Sequence, residues 1–130
     1  MVTIIKEAKN YMRSFLYSFK YAGNGILKVI IKERNFRIEI SAFVLSVVMG
    51  FIFGINIIEW LFILMFSCIV LSLEILNTAI ELFIDLNIDR YDVLIAHVKD
   101  ILAGAVLVSS IFALIAGLII FIPHFIKLFA

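Results

Sequence analysis

Glu74, Asn77 and Glu81 fall at i, i+3 and i+7 within the run Glu74-Ile75-Leu76-Asn77-Thr78-Ala79-Ile80-Glu81. On a helix that spacing puts all three polar groups on one face, while the remaining positions are apolar or small. A carboxylate at a bilayer centre costs roughly 2.5–3.5 kcal/mol on insertion scales, and less near the interface. Two carboxylates and an amide in such a helix are therefore a functional-site hypothesis by default. An inter-helix hydrogen-bond cluster is the plain alternative, but packing rarely needs two acids. Seven residues at ~1.5 Å rise separate the two Cα atoms by about 10 Å. One shared proton is thus disfavoured, and two separate jobs, such as a general base and a metal ligand, are the natural reading.

The elements that must hold these groups follow from composition. The chain has 130 residues, 65% of them hydrophobic, and a mean hydropathy of +1.19. Soluble domains sit near 45–50% apolar, so the excess must face lipid. Three apolar stretches stand out, at about Ile38–Phe53, Ile57–Ile84 and Ile101–Ile122. A membrane-spanning helix needs roughly 17–25 such residues, so three spans are predicted. Gly50 and Gly54 form a GxxxG pair at the end of the first, and Ala105, Ser109, Ala113 and Gly117 form a ladder on the third. Small residues of this kind allow close helix approach. Pro123 is expected to close the third span. Cys68, the single cysteine, lies in an apolar run and is expected to be a small packing residue with no disulfide or metal role.

Lys6, Lys9, Arg13, Lys20, Lys28, Lys32, Arg34 and Arg37 precede the first span, and Arg90 and Lys99 lie between the second and third. The positive-inside rule then puts the N-terminus and the Asp85–Asp100 connection in the cytoplasm, with Trp60 as an anchor at the outer interface. Ile4, Ile5, Ala8, Tyr11, Met12, Phe15, Leu16 and Phe19 recur at helical spacing between charged residues. This predicts an amphipathic helix in the headgroup region, without the apolar core of a secretory signal. Gly23 and Gly25 suggest a bend, with a second short helix over about Ile26–Arg34. The expected organisation is a cytoplasmic surface region over 1–34 and one transmembrane unit over 35–130: an all-α integral membrane protein.

Further acids stand near the predicted cytoplasmic ends: Glu33, Glu39, Asp85, Asp89, Asp92 and Asp100. Acids from different helices plus Lys99 can hold Mg²⁺ and a polyphosphate. Any one loop acid among Asp85, Asp89 and Asp92 is more often simply solvated. Gly23-Asn24-Gly25 lacks the Gly-Lys-Ser/Thr of a phosphate loop, so a nucleotide would have to bind on helix ends at the membrane surface. A net charge of +1 gives no argument for nucleic acid as a partner. A non-catalytic assembly, or an ion or proton pathway lined by Glu74 and Glu81, is the rival function. It suffers because the third span is uncharged, so no polar path crosses the bilayer.

The run Glu-Ile-Leu-Asn-Thr-Ala-Ile-Glu (74–81), the run Glu-Arg-Asn-Phe-Arg-Ile-Glu (33–39) and Lys-Asp-x-x-Ala-Gly-Ala-Val-Leu (99–107) resemble the small prokaryotic diacylglycerol kinase family, which includes undecaprenol kinases. The resemblance covers about Tyr21 to Ile122. It implies an ATP- and Mg²⁺-dependent lipid kinase, built as a homotrimer with a surface helix and three membrane helices per chain. By position, it implies Glu74 as general base, Asn77 orienting Glu74 or the substrate, and Glu33 and Glu81 holding the metal on the ATP phosphates. It implies Lys99 on phosphate, Asp100 helping to hold nucleotide, and Tyr21, Gly25 and Tyr91 near it. Asn35, Phe36, Arg37 and Glu39 match the entrance where the lipid head approaches. The acceptor is expected to be undecaprenol or diacylglycerol. Two positions depart from many relatives: Asp92 after Tyr91, and His97 two before Lys99.

Overall fold

The computed structural model describes residues 2–87 and 93–129, with side chains over 13–87 and 93–128. The described residues form four helices: α1 (Val2–Lys32), α2 (Arg34–Phe53), α3 (Ile57–Asn87) and α4 (Val93–Phe129). The chain divides into two compact units, Met1–Lys32 and Glu33–Ala130. The first is α1 alone, one unbroken helix without the bend expected at Gly23-Asn24-Gly25. Neither glycine adopts positive φ. Each glycine in a helix costs about 1 kcal/mol relative to alanine, which a long helix with intact hydrogen bonds on both sides absorbs.

In the second unit, α2, α3 and α4 are each long and apolar enough to cross a membrane. Most of the surface of each is left uncovered by the rest of the chain. Leu107, Leu114 and Ile119 on α4 and Val44, Leu45 and Val48 on α2 are exposed, as side chains facing lipid would be. The helices outrun the apolar stretches. At ~1.5 Å per residue α3 is about 46 Å long, against a hydrocarbon core of ≈ 30 Å. Apolar length sets what is buried in lipid, whereas backbone hydrogen bonding carries the helix further. Asp85 therefore belongs to α3, and Lys99 and Asp100 belong to α4, not to a loop. Asp89, Arg90, Tyr91 and Asp92 lie outside the described residues.

The α2–α3 corner is built from local chemistry. Gly54 ends α2 in the left-handed region (φ 62), and its N–H bonds to the Gly50 carbonyl. The Ile55 N–H reaches the same carbonyl at 3.2 Å, a Schellman-type stop. Gly54 is thus a stop signal and not a packing contact. Gly50 does make a close approach: a Cβ there would lie 2.8 Å from the Trp60 ring. Trp60 is half-buried against its own chain's α2 and touches the Phe51 ring (centroids 4.9 Å apart). Asn56 starts α3. Its Oδ1 accepts from the N–H groups of Ile58 (2.9 Å) and Glu59 (3.0 Å), and Glu59 Oε2 accepts from the Asn56 N–H (2.8 Å). This reciprocal capping box satisfies orphan donors at the helix start.

Ile55, Ile63, Ile120 and Phe121 are buried together beside this corner, with Met49, Phe53 and Trp60 packed on them. α4 does not stop at Pro123 but runs through it to Phe129. Proline removes one backbone donor, a loss that membrane helices tolerate when side chains re-satisfy nearby carbonyls. One residue on, the His124 ring Nδ1 lies 2.9 Å from the Ile120 carbonyl, and Nε2 lies 3.8 Å from Glu59 Oε2 on α3. Ala113 and Gly117 of the expected small-residue ladder line a cavity, and a Cβ at Gly117 would meet nothing within 4 Å. Cys68 is exposed on α3, not packed inside the chain.

Gly50→Ala is expected to lower the thermal midpoint of detergent-solubilised protein, by about 1–3 kcal/mol of unfolding free energy, through overpacking against Trp60. Gly104→Ala, where a Cβ meets nothing within 4 Å, should instead stabilise by about 0.5–1 kcal/mol through helix propensity. Equal midpoints for the two variants would mean the Trp60 ring simply moves aside.

Candidate active site

The polar residues gather in the part of the 33–130 unit remote from the Asn56 corner. α3 carries the central ones because a residue every third or fourth position keeps one helix face polar. Glu74 is only 3% exposed and Thr78, one turn on, 2%. Asn77 is half-buried, and its Nδ2 donates to Glu81 Oε1 over 3.4 Å. The Asn77 carbonyl Oδ1 and the Thr78 hydroxyl are buried without a hydrogen-bond partner. Such atoms cost about 1–3 kcal/mol each when left unpaired, so they ask for a functional explanation.

α2 supplies the next carboxylates. Glu33 sits at its N-cap in extended conformation (φ −97, ψ 120) and makes no capping bond through its side chain. Its charge and that of Glu81 both act on Glu74. Glu39, almost two turns into α2, faces Glu74 electrostatically and the Ser110 hydroxyl of α4. Glu39 Oε2 is a further buried oxygen without a partner. Phe36 between them is 2% exposed, while Asn35 and Arg37 are exposed.

α4 brings the cation. Lys99 Nζ donates to Asp85 Oδ1 at 2.6 Å, bridging α4 and α3, and the field of Glu81 also reaches it. Asp100 follows on α4 and is exposed. The structure thus brings together Glu33, Glu39, Glu74, Asn77, Glu81 and Lys99. Tyr21 and Gly25 lie on α1 in the separate unit, and Tyr91 lies outside the described residues. Two participants were not picked out from sequence, Thr78 and Ser110, and Asp85, named there only as an acid more often solvated, is paired with Lys99. Thr78 and Asp85 fall on the same α3 stripe as Glu74, at i+4 and i+11, so periodicity carried a signal for both. Ser110 carried none, because its role depends on α4 lying against α2.

Among the described residues, no three His, Cys, Asp or Glu side chains are grouped to hold a metal ion. Mg²⁺ needs only one or two protein carboxylates, since water and substrate phosphate complete its octahedron, so a three-residue group is not a requirement for it. The donors here are hard oxygens, and the charges of Glu33 and Glu81 both act on Glu74. A divalent cation would relieve that repulsion. Below the acids a cavity of about 470 Å³ opens between α2, α3 and α4. Glu39 and Ser110 lie on its wall with apolar neighbours such as Met49, Val70 and Leu114. From Glu39 to Met49 it follows α2 for about 15 Å at 1.5 Å per residue.

With this geometry in place, comparison with known proteins decides the lineage. The prokaryotic diacylglycerol kinase profile matches residues 20–121. The chain belongs to the prokaryotic diacylglycerol kinase family. It is 40% identical to the undecaprenol kinase of Bacillus subtilis over 118 residues, 91% of this chain and 96% of that one. It is 34% identical to the diacylglycerol kinase of Synechocystis over 124 residues, covering 95% of this chain and 71% of that one. Against the Escherichia coli K12 diacylglycerol kinase it is 32% identical over 105 residues, 81% and 86% of the two chains. Family membership with three membrane-length helices makes this a bacterial membrane protein and a lipid kinase, and sets aside the non-catalytic assembly and ion-pathway alternatives.

Thr78→Val keeps the shape of the side chain and removes the unpaired hydroxyl. It is expected to raise the thermal midpoint, by about 1–2 kcal/mol of unfolding free energy. A midpoint at or below that of the parent would show that the hydroxyl has a partner.

Proposed function

We propose that this chain transfers the γ-phosphoryl group of ATP to the hydroxyl of a membrane lipid at the cytoplasmic face, as a homotrimer with α1 lying amphipathically at the surface. The observation that carries this reading is Glu74: a carboxylate 3% exposed on an apolar helix, beside the unpaired Asn77 Oδ1 and Thr78 hydroxyl. A buried base next to unused hydrogen-bonding atoms is suited to hold an alcohol. The Glu74 carboxylate would take the proton of the lipid hydroxyl as its oxygen bonds to the γ-phosphorus. The bond to the β–γ bridging oxygen breaks, and ADP leaves with that oxygen. Asn77 would orient Glu74 or the alcohol, Lys99 would neutralise charge on the phosphate chain, and Asp100 would help to hold the nucleotide. Phosphoryl transfer depends chiefly on such positioning and charge neutralisation.

Glu33 and Glu81 would hold Mg²⁺, which when bound neutralises the phosphate oxygens. The Asn35–Glu39 segment would receive the lipid head, and the cavity beside Glu39 would take the start of its chain, since apolar side chains dominate the lining below. Lys and Arg are concentrated before α2, which supports the cytoplasmic placement of this end. Undecaprenol is the favoured acceptor over diacylglycerol. The Bacillus subtilis relative that carries that name matches over nearly the whole length of both chains.

Purified protein in lipid micelles, with labelled ATP, Mg²⁺ and each alcohol in parallel, is expected to yield the phosphorylated lipid, with undecaprenol turned over faster. Glu74→Gln should lower kcat by about 10²–10⁴-fold, the usual worth of a general base, while the protein still assembles and binds nucleotide. A variant retaining most of its rate would remove Glu74 from the base role.

A further inference from the structure

We propose that Asp85 is a positioning residue for phosphoryl transfer: it holds the Lys99 ammonium over the α3 stripe and keeps it from collapsing onto Glu81. This rests on the reading of Lys99 as the phosphate contact. At about 100° per residue, Asp85 lies only about 20° around α3 from Glu74, and one turn beyond Glu81. The polar stripe therefore runs Glu74, Asn77–Thr78, Glu81, Asp85. Lys99 comes from another helix and meets this stripe at Asp85, with Nζ 2.6 Å from Oδ1.

The pair is too open to be a staple of the fold. The Lys99 and Asp85 side chains are 36% and 55% exposed, and ion pairs at such sites contribute little to stability because water screens them and ordering two long side chains opposes them. Orientation is a different matter. Lysine is a flexible point charge with three N–H donors. One is committed to Asp85, and two remain for phosphate oxygens. The exposure of Lys99 leaves room for a ligand there. Among the described residues Glu81 competes for Lys99, since its field already reaches it. Without Asp85 the ammonium would move to Glu81, spending both a proposed metal ligand and the phosphate contact on each other. ATP would then have to break that pair in order to bind.

The test compares wild type, Asp85→Asn and Asp85→Glu in lipid micelles. It reads the dissociation constant of a fluorescent non-hydrolysable ATP analogue, KM for ATP, kcat and the thermal midpoint. Asp85→Asn is expected to weaken analogue binding and raise KM by about ten-fold, the scale of one charge-assisted hydrogen bond, with a smaller effect on kcat and an unchanged midpoint. Asp85→Glu should recover most of the affinity. Unchanged or tighter analogue binding in Asp85→Asn would overturn the proposal, because relief of repulsion between Asp85 and phosphate would then outweigh positioning. So would an affinity loss that tracks a fall in midpoint and is not recovered by glutamate. A wild-type protein that phosphorylates no lipid alcohol would instead overturn the kinase reading of this site, while the analogue arm still reports on Asp85 alone.

Discussion

Burying a carboxylate among apolar helices is the constraint that orders this molecule. Glu74 is almost wholly withdrawn from solvent on a helix whose other faces are fit for lipid. Withdrawal of a charge from water is repaid only by hydrogen bonds, an opposite charge or a change of protonation state. Glu33 and Glu81, whose charges act on Glu74, are acids and supply none of this. Lys99, the cation that α4 brings to these groups, is engaged by Asp85. An arrangement that sets acids against one another and leaves several buried oxygens unpaired makes little sense as packing. It makes sense as a surface that is completed by a cation, a phosphate chain and a hydroxyl, the three chemical parts of a lipid kinase reaction.

That costly end is tolerated because the opposite end is ordinary. There the chain uses a glycine stop, a capping box, a tryptophan over a glycine and a small aliphatic and aromatic cluster. Each device is local or nearly so, and each satisfies its own hydrogen bonds. The Phe53 ring packs near Phe121, His124 and Phe125, tying α2 to the last turns of α4. With the helices joined at this end, they can stand apart enough further along to leave a cavity. The small residues Ala113 and Gly117 widen that gap where a ladder for close packing was expected. The same residue types that let two helices touch can also make room for a ligand between them, and only their partner decides which.

Much of this was legible in the chain itself. Three apolar runs demanded three membrane helices, because lipid accepts a backbone only when its hydrogen bonds are closed within a helix or barrel. The i, i+3, i+7 spacing of Glu74, Asn77 and Glu81 defined one polar face, since 3.6-residue periodicity is a property of local geometry. The motifs around them pointed to the family that comparison confirms. Helix ends were less legible. Pro123 and Gly23-Asn24-Gly25 read as breaks, yet both lie inside helices, because the energetic penalty of either is small beside the many backbone bonds of a long helix.

Sequence alone therefore determined which segments enter the membrane and which face of α3 carries the chemistry, since both follow from interactions within a few turns of one helix. Tertiary structure decided which groups from different helices meet: Lys99 with Asp85, Ser110 with Glu39, His124 with Glu59, and the cavity between α2, α3 and α4. Those encounters depend on the rotation and offset of one helix against another. These are set by the summed packing of many weak contacts along each pair, and no spacing within a single segment encodes that sum.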